Sequence, residues 1–202
     1  MAIDLGTLQT QNNGKFVVNL EKGFKVNLEK GGKSLKHLTF AAGWDKASVL
    51  PDVDIDIEAI IYENDVLKNM VYYDNRLGVK GMELGKDNRD GSGEGDDEKM
   101  KILLDGISDS INRIRLMVSI FKAKERGQNF GSAKNAYVSI HNDDENGKEE
   151  ARFNLTNDYS MFVGITVGDL VRNGDSWSFV TIGNGHAGNL QDMVNENENI
   201  RK

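Results

Sequence analysis

From Asp52 to Glu58 the chain reads Asp-Val-Asp-Ile-Asp-Ile-Glu, a strict alternation of acid with β-branched apolar residue. A two-residue period puts one class of side chain on each face of a strand, and no helix reproduces it. The same alternation recurs over His37–Gly43, Val53–Tyr62, Asn69–Tyr73, Met100–Leu104, Arg113–Phe121 and Ala136–His141. Arg152–Leu155, Met161–Val171 and Trp177–Ile182 continue it. Asn146-Gly147 and Asn173-Gly174 stand between such runs, and Asn-Gly is a strong hairpin signal. Only Ile107–Asn112, Ala123–Gln128 and Asn189–Asn195 have a helical pattern, and each is short. The expected fold is mainly β: a β-sandwich of two mostly antiparallel sheets with a few short helices.

The near-repeat Val18-Asn19-Leu20-Glu21-Lys22-Gly23 and Val26-Asn27-Leu28-Glu29-Lys30-Gly31 fits two further short strands joined by a glycine turn. Residues 1–15 are polar and aperiodic and read as a flexible N-terminal tail. The sandwich is expected over 16–195, with 196–202 a flexible C-terminal tail. A length of 202 residues suits one such domain with a real core. No apolar run is long enough for a membrane helix and no signal segment opens the chain. With no cysteine, thiol catalysis and zinc fingers are excluded and a cytoplasmic location is the expectation. A pI near 5.1 without a basic stripe argues against a nucleic-acid partner.

The net charge of −7 is concentrated in two windows. In the first, Asp52, Asp54, Asp56 and Glu58 share a strand face. Like charges about 7 Å apart repel by roughly 2.4 kcal/mol at an effective dielectric near 20, so the arrangement needs a reason. An EF-hand is rejected, because the required glycine at the sixth position is Ile57. A strand end presenting oxygens to a cation and a solvated sheet face remain as alternatives.

The second window, Asp87-Asn88-Arg89-Asp90-Gly91-Ser92-Gly93-Glu94-Gly95-Asp96-Asp97-Glu98, has glycine at every second position from 91 to 95. Such spacing lets carboxylates and carbonyls converge, and a hard cation such as Ca²⁺ takes 6 to 8 oxygens. Its alternative is a soluble flexible linker. Histidine-rich metal sites are not indicated, since His37, His141 and His186 are far apart in sequence. Asp143-Asp144-Glu145 with Glu149-Glu150 is equally acidic but lacks both patterns, and reads as a solvated hairpin tip.

Two other motifs carry no chemistry. Gly183-x-Gly185-x-x-Gly188 follows a strand, but too little chain follows to complete a dinucleotide fold, so helix-to-sheet packing is the better reading. Gly32-Lys33-Ser34 lacks the first glycine of a phosphate loop, because that position is Asn27. No nucleophile elbow is present, and no small-molecule substrate is indicated.

Taken in order, Gly43-Trp44-Asp45, the Asp-x-Asp-x-Asp strand, Asp87-Asn88-Arg89 with its acidic tail, Arg126-Gly127-Gln128-Asn129-Phe130-Gly131, Ala151-Arg152-Phe153-Asn154-Leu155 and Gly183-x-Gly185-x-Ala187-Gly188 resemble the TerD family. These are tellurium-resistance and general stress-response proteins. The likeness spans residues 17 to 192. It implies a calcium-binding β-sandwich without enzymatic activity, holding two Ca²⁺. The implied metal ligands are Asp45, Asp54, Asp56, Asp87, Asn88, Glu94, Asp96, Asp97 and Glu98. It also implies a cytoplasmic protein, peripheral at the inner membrane face, that works with other tellurium-resistance or stress proteins, including an integral membrane partner. The chain departs from the family pattern at Ile57-Glu58, Lys86, Asp90, Glu94 and Phe121-Lys122.

The leading expectation is therefore a non-enzymatic Ca²⁺-binding stress protein whose acidic windows meet, order a loop and present a partner surface. A Ca²⁺-dependent membrane-surface module is the second reading. Metal-assisted phosphate chemistry is the third, ranked last because no base or nucleophile is evident.

Overall fold

The computed structural model describes residues 3–4, 25–27, 29–30, 33–46 and 51–199. Its strands are β1 (Ile3–Asp4), β2 (Lys25–Asn27), β3 (Glu29–Lys30), β4 (Lys33–Ser34), β5 (His37–Asp45), β6 (Ile55–Glu63) and β7 (Val66–Val71). They continue as β8 (Met82–Leu84), β9 (Glu98–Leu103), β10 (Ile111–Ile120), β11 (Lys134–Asn142), β12 (Lys148–Asn154), β13 (Gly164–Asn173) and β14 (Ser176–His186). Three short helices are α1 (Ala123–Arg126), α2 (Leu155–Asp158) and α3 (Leu190–Asn199). A seven-stranded sheet runs β1-β2-β14-β13-β10-β6-β7 and a five-stranded sheet β12-β11-β5-β9-β8, while β3 and β4 form a small hairpin. Neighbours pair antiparallel except β1 with β2.

The alternation read from the sequence explains how the two large sheets face each other. In β6, Ile55, Ile57, Ala59 and Ile61 enter one buried cluster with Phe40 of β5, Met100 of β9, Ile114 of β10 and Val138 of β11. Burying each of the larger of these side chains stabilises the fold by about 1.5–3 kcal/mol. The opposite face of β6 carries Ile60 and Tyr62, which join Met117, Met193 and Val194 in a second cluster roofed by α3. The β6–β7 turn uses Asn64 and Asp65, both at positive φ (51° and 61°), a conformation Asn and Asp tolerate.

Several local expectations change. Ile107–Asn112 is not helical: a 3₁₀ turn occupies Leu104–Gly106, and Ile111 already pairs with Glu63. The strand expected over Arg152–Leu155 is the end of β12, and Leu155 starts α2. The C-terminal tail expected from residue 196 also requires correction, because α3 continues to Asn199 and Asn197 is buried. Its amide donates to Met193 O at 2.8 Å, while its oxygen accepts from Arg115 Nη1 at 2.8 Å. Apart from Ile3–Asp4, the expected tail over 1–15 and the first half of the near-repeat lie outside the described residues.

Candidate metal centre

Strand β7 stops pairing with β6 at Val71, opposite Ala59, so the beginning of β6 has an open edge. On its other side the same stretch is fixed by β10, with Asp56 opposite Ser119 and Ile55 opposite Ile120. The loop 85–97 descends to this open edge and enters β9 at Glu98. There the Glu98 carboxylate accepts the free Ile57 N–H at 3.1 Å. Both acidic windows thus meet at one end of the sandwich.

Asp54, Asp56 and Asp87 each offer a carboxylate oxygen, and these oxygens lie within 4.8 Å of one another. Asp54 and Asp56 are buried. Burial raises the Asp54 carboxyl above its ordinary value, reinforced by Asp87 and opposed by Arg126 and Arg89. Asp56 is pushed up to about 7, first by burial and then by Asp54 and Asp87. Glu58, completely buried, is raised well above its ordinary value, first by burial and then by Asp56. Ser119 Oγ donates to Glu58 Oε1, but Oε2 is buried without a hydrogen-bond partner among the described residues. Glu98 is pushed up to about 8 by burial, against hydrogen bonds from the Ile57 and Asn88 backbone.

Opposing cations are few and peripheral. Arg89 Nε lies 2.8 Å from Asp87, and Arg126 Nη1 lies 3.7 Å from Asp54. Phe121 N donates to Asp54 O at 2.8 Å, bringing the end of β10 against the centre. The Phe121 ring meets Tyr73 edge-on at 5.5 Å.

The remaining expected ligands lie in other surroundings. Asp97 Oδ2 accepts the Trp44 N–H at 2.9 Å, and its Oδ1 accepts the Asn88 amide at 2.8 Å. Asn88 Oδ1 in turn accepts the Asp90 and Gly91 N–H groups, so these two residues brace the loop. Gly91 sits at φ +65° where a Cβ would come 2.5 Å from the Trp44 indole, which is why the tight turn needs glycine there. Asp96 accepts the Tyr137 hydroxyl at 2.9 Å and faces His141 at 3.4 Å. Asp45 accepts the Asn135 amide at 2.7 Å. Asp45 and exposed Glu94 line a separate cavity of about 440 Å³, together with Tyr137 and Arg152.

Two structural roles were not legible in the sequence. Glu58 is the buried floor of the centre, signalled only by its place two residues after Asp56. The segment 143–150 is more than a solvated tip: Asp144 accepts the Lys36 and His37 N–H groups at 2.7 and 3.3 Å, and Glu150 is buried. In the Gly183–Gly188 motif only Gly188 meets a helix, against Asp192 at the start of α3, while the strand glycine Gly185 lies against the Phe162 ring of the turn before β13.

A family profile for the TerD domain matches residues 16–196. The chain is 36% identical over 179 residues to the tellurium resistance protein TerD of Serratia marcescens, covering 86% of this chain and 93% of that relative. It is 33% identical over 180 residues to general stress protein 16U of Bacillus subtilis, with the same coverages of 86% and 93%. A solved homologue of telluride resistance protein (TerD) from Streptomyces coelicolor superposes with a TM-score of 0.70 at 23% identity. That superposition covers 79% of this chain and 95% of the homologue, and it carries the fold alone. Among the described residues no helix is long and apolar enough to cross a membrane.

Proposed function

Because the chain belongs to the TerD family, we propose that it is a non-enzymatic, calcium-binding protein of the tellurium-resistance and stress-response type. The observation that carries the reading is the convergence of the Asp54, Asp56 and Asp87 oxygens within 4.8 Å at the open edge of β6. Buried carboxylates with raised proton affinity, and a Glu58 Oε2 on the same strand face that has no partner among the described residues, form a site with too little positive charge of its own. The donor set fits a hard cation: it is all oxygen, with no His or Cys. A bound Ca²⁺ would supply the missing positive charge.

Asp54, Asp56 and Asp87 would hold the ion. Glu98 ties the loop to β6 through Ile57 N, and Asn88 and Asp97 keep the loop folded over it. A second ion would be held at the separate cavity, where Asp45 and Glu94 are the lining carboxylates. Cytoplasmic action beside other stress-resistance proteins, including an integral membrane partner, is part of the same proposal and is supported by the family likeness.

Calorimetry of Ca²⁺ into EGTA-stripped protein tests the site. Asp54→Asn/Asp87→Asn should abolish the binding heat, whereas Asp96→Asn should retain the binding heat of the β6 site. Unchanged heats in the first variant would sink the assignment.

A further inference from the structure

The cations around the centre form a pattern of their own. Arg89 is strongly exposed at 79% and, among the described residues, is held by Asp87. Arg126, 36% exposed, reaches Asp54 from α1. Its guanidinium also lies 5.4 Å from the Phe121 ring centroid, and the Lys122 ammonium lies 5.2 Å from the same ring. Phe121 and the exposed Tyr73 complete an aromatic wall. Two arginines therefore border the three carboxylates as the site's internal counter-ions, and Lys122 shares the Phe121 ring with one of them.

We infer that Arg89, Arg126 and Lys122, with Tyr73 and Phe121, form an anion-binding rim for a phosphate-bearing ligand, coupled to occupancy of the carboxylate centre. The inference rests on the proposed cation site. While the carboxylates are unneutralised, the guanidiniums are engaged with Asp54 and Asp87, and the local negative charge repels an anion. Once those carboxylates have another counter-ion, the guanidiniums lose their partners and keep their exposure. Arginine forks match phosphate oxygens bidentately, and an aromatic face beside them accommodates the group the phosphate carries. Linkage makes the coupling reciprocal: the anion must tighten the cation by the same factor by which the cation tightens the anion.

The test uses phenyl phosphate as soluble probe and phosphatidylcholine vesicles with or without phosphatidic acid as membrane probe, each with Ca²⁺ and with EGTA. Ca²⁺ calorimetry alone, run first on the same protein, decides the underlying reading independently. The expected result is Ca²⁺ binding tightened on the order of tenfold by at least one probe, within the usual range for coupled sites. Without a probe, Arg89→Gln/Arg126→Gln should bind Ca²⁺ more tightly than wild type, because the competing guanidiniums are gone, and adding either probe should leave that affinity unchanged. Enhancement by vesicles alone assigns a lipid headgroup, and by phenyl phosphate alone a soluble phosphate ester; either supports the rim. If Ca²⁺ binds but neither probe changes its affinity, or the variant responds like wild type, the rim is wrong. Absence of Ca²⁺ binding would overturn both proposals.

Discussion

Replacing Asp56 with Asn should stabilise the metal-free protein at alkaline pH and weaken it when Ca²⁺ is present. The Asp56 carboxyl is raised from 3.8 to about 7 in the fold. At about 1.36 kcal/mol per pH unit, keeping it ionised costs the folded state about 4 kcal/mol. The sign follows from the folded value lying above the unfolded one. The cost is absent below pH 4, grows between 4 and 7, and is complete above 7, so wild-type stability falls across that window. An Asn side chain must still be desolvated, which leaves a net gain of about 2 kcal/mol at pH 8.5. Urea unfolding in EGTA should then show the variant's midpoint higher by about 1 M at alkaline pH, with no gain near pH 4. Calcium at a hundredfold excess over its Kd should reverse the order, stabilising wild type by about 2.7 kcal/mol. A variant less stable than wild type in EGTA at pH 8.5, or a difference that ignores pH, would refute the claim that Asp56 is an uncompensated buried charge.

The period of β6 made both its core face and its acidic face legible, because alternation reports directly which side chains share a side. Which acids converge was not legible. That depends on β7 ending opposite Ala59, on Glu98 capping the Ile57 N–H, and on Asn88 and Asp97 bracing the loop, all contacts distant in sequence. Two of the loop acids grouped by sequence therefore part company: Asp87 turns to β6, while Asp96 turns to Tyr137. Between the runs Val53–Tyr62 and Asn69–Tyr73 the sequence leaves the turn unmarked, because Asn64-Asp65 takes positive φ without a glycine. The length of α3 was missed because its anchors are polar: buried Asn197, and Glu196, which accepts from or pairs with His186 Nδ1 at 2.6 Å. A hydrophobic period carries no record of such contacts.

Gly91→Ala should cost about 1–3 kcal/mol and lower Tm in differential scanning calorimetry, since the turn needs positive φ and the methyl would strike the Trp44 indole. Tyr137→Phe removes the hydroxyl bond to Asp96 and should cost about 1 kcal/mol by urea unfolding, without altering Ca²⁺ heat at the β6 site. Arg115 allows a sharper test further along the same face of the larger sheet, beneath α3. Its Nε and Nη2 donate to the two Asp169 oxygens at 2.7 and 2.8 Å, and its Nη1 donates to Asn197 on α3. Breaking a buried pair from one side strands the other charge and costs about 3–5 kcal/mol. Arg113 also reaches Asp169, at 3.4 Å, so Arg115→Met should fall at the lower end, about 3 kcal/mol. Arg115→Met/Asp169→Leu removes both charges and should recover most of that loss by urea unfolding. Amide hydrogen exchange in α3 should nevertheless stay faster than wild type, because Asn197 has lost its Arg115 donor in both variants and is left with the longer bond from Thr166 Oγ1 at 3.3 Å. Equal destabilisation of the single and double variants would show that packing, rather than the stranded Asp169 charge, dominates at this position.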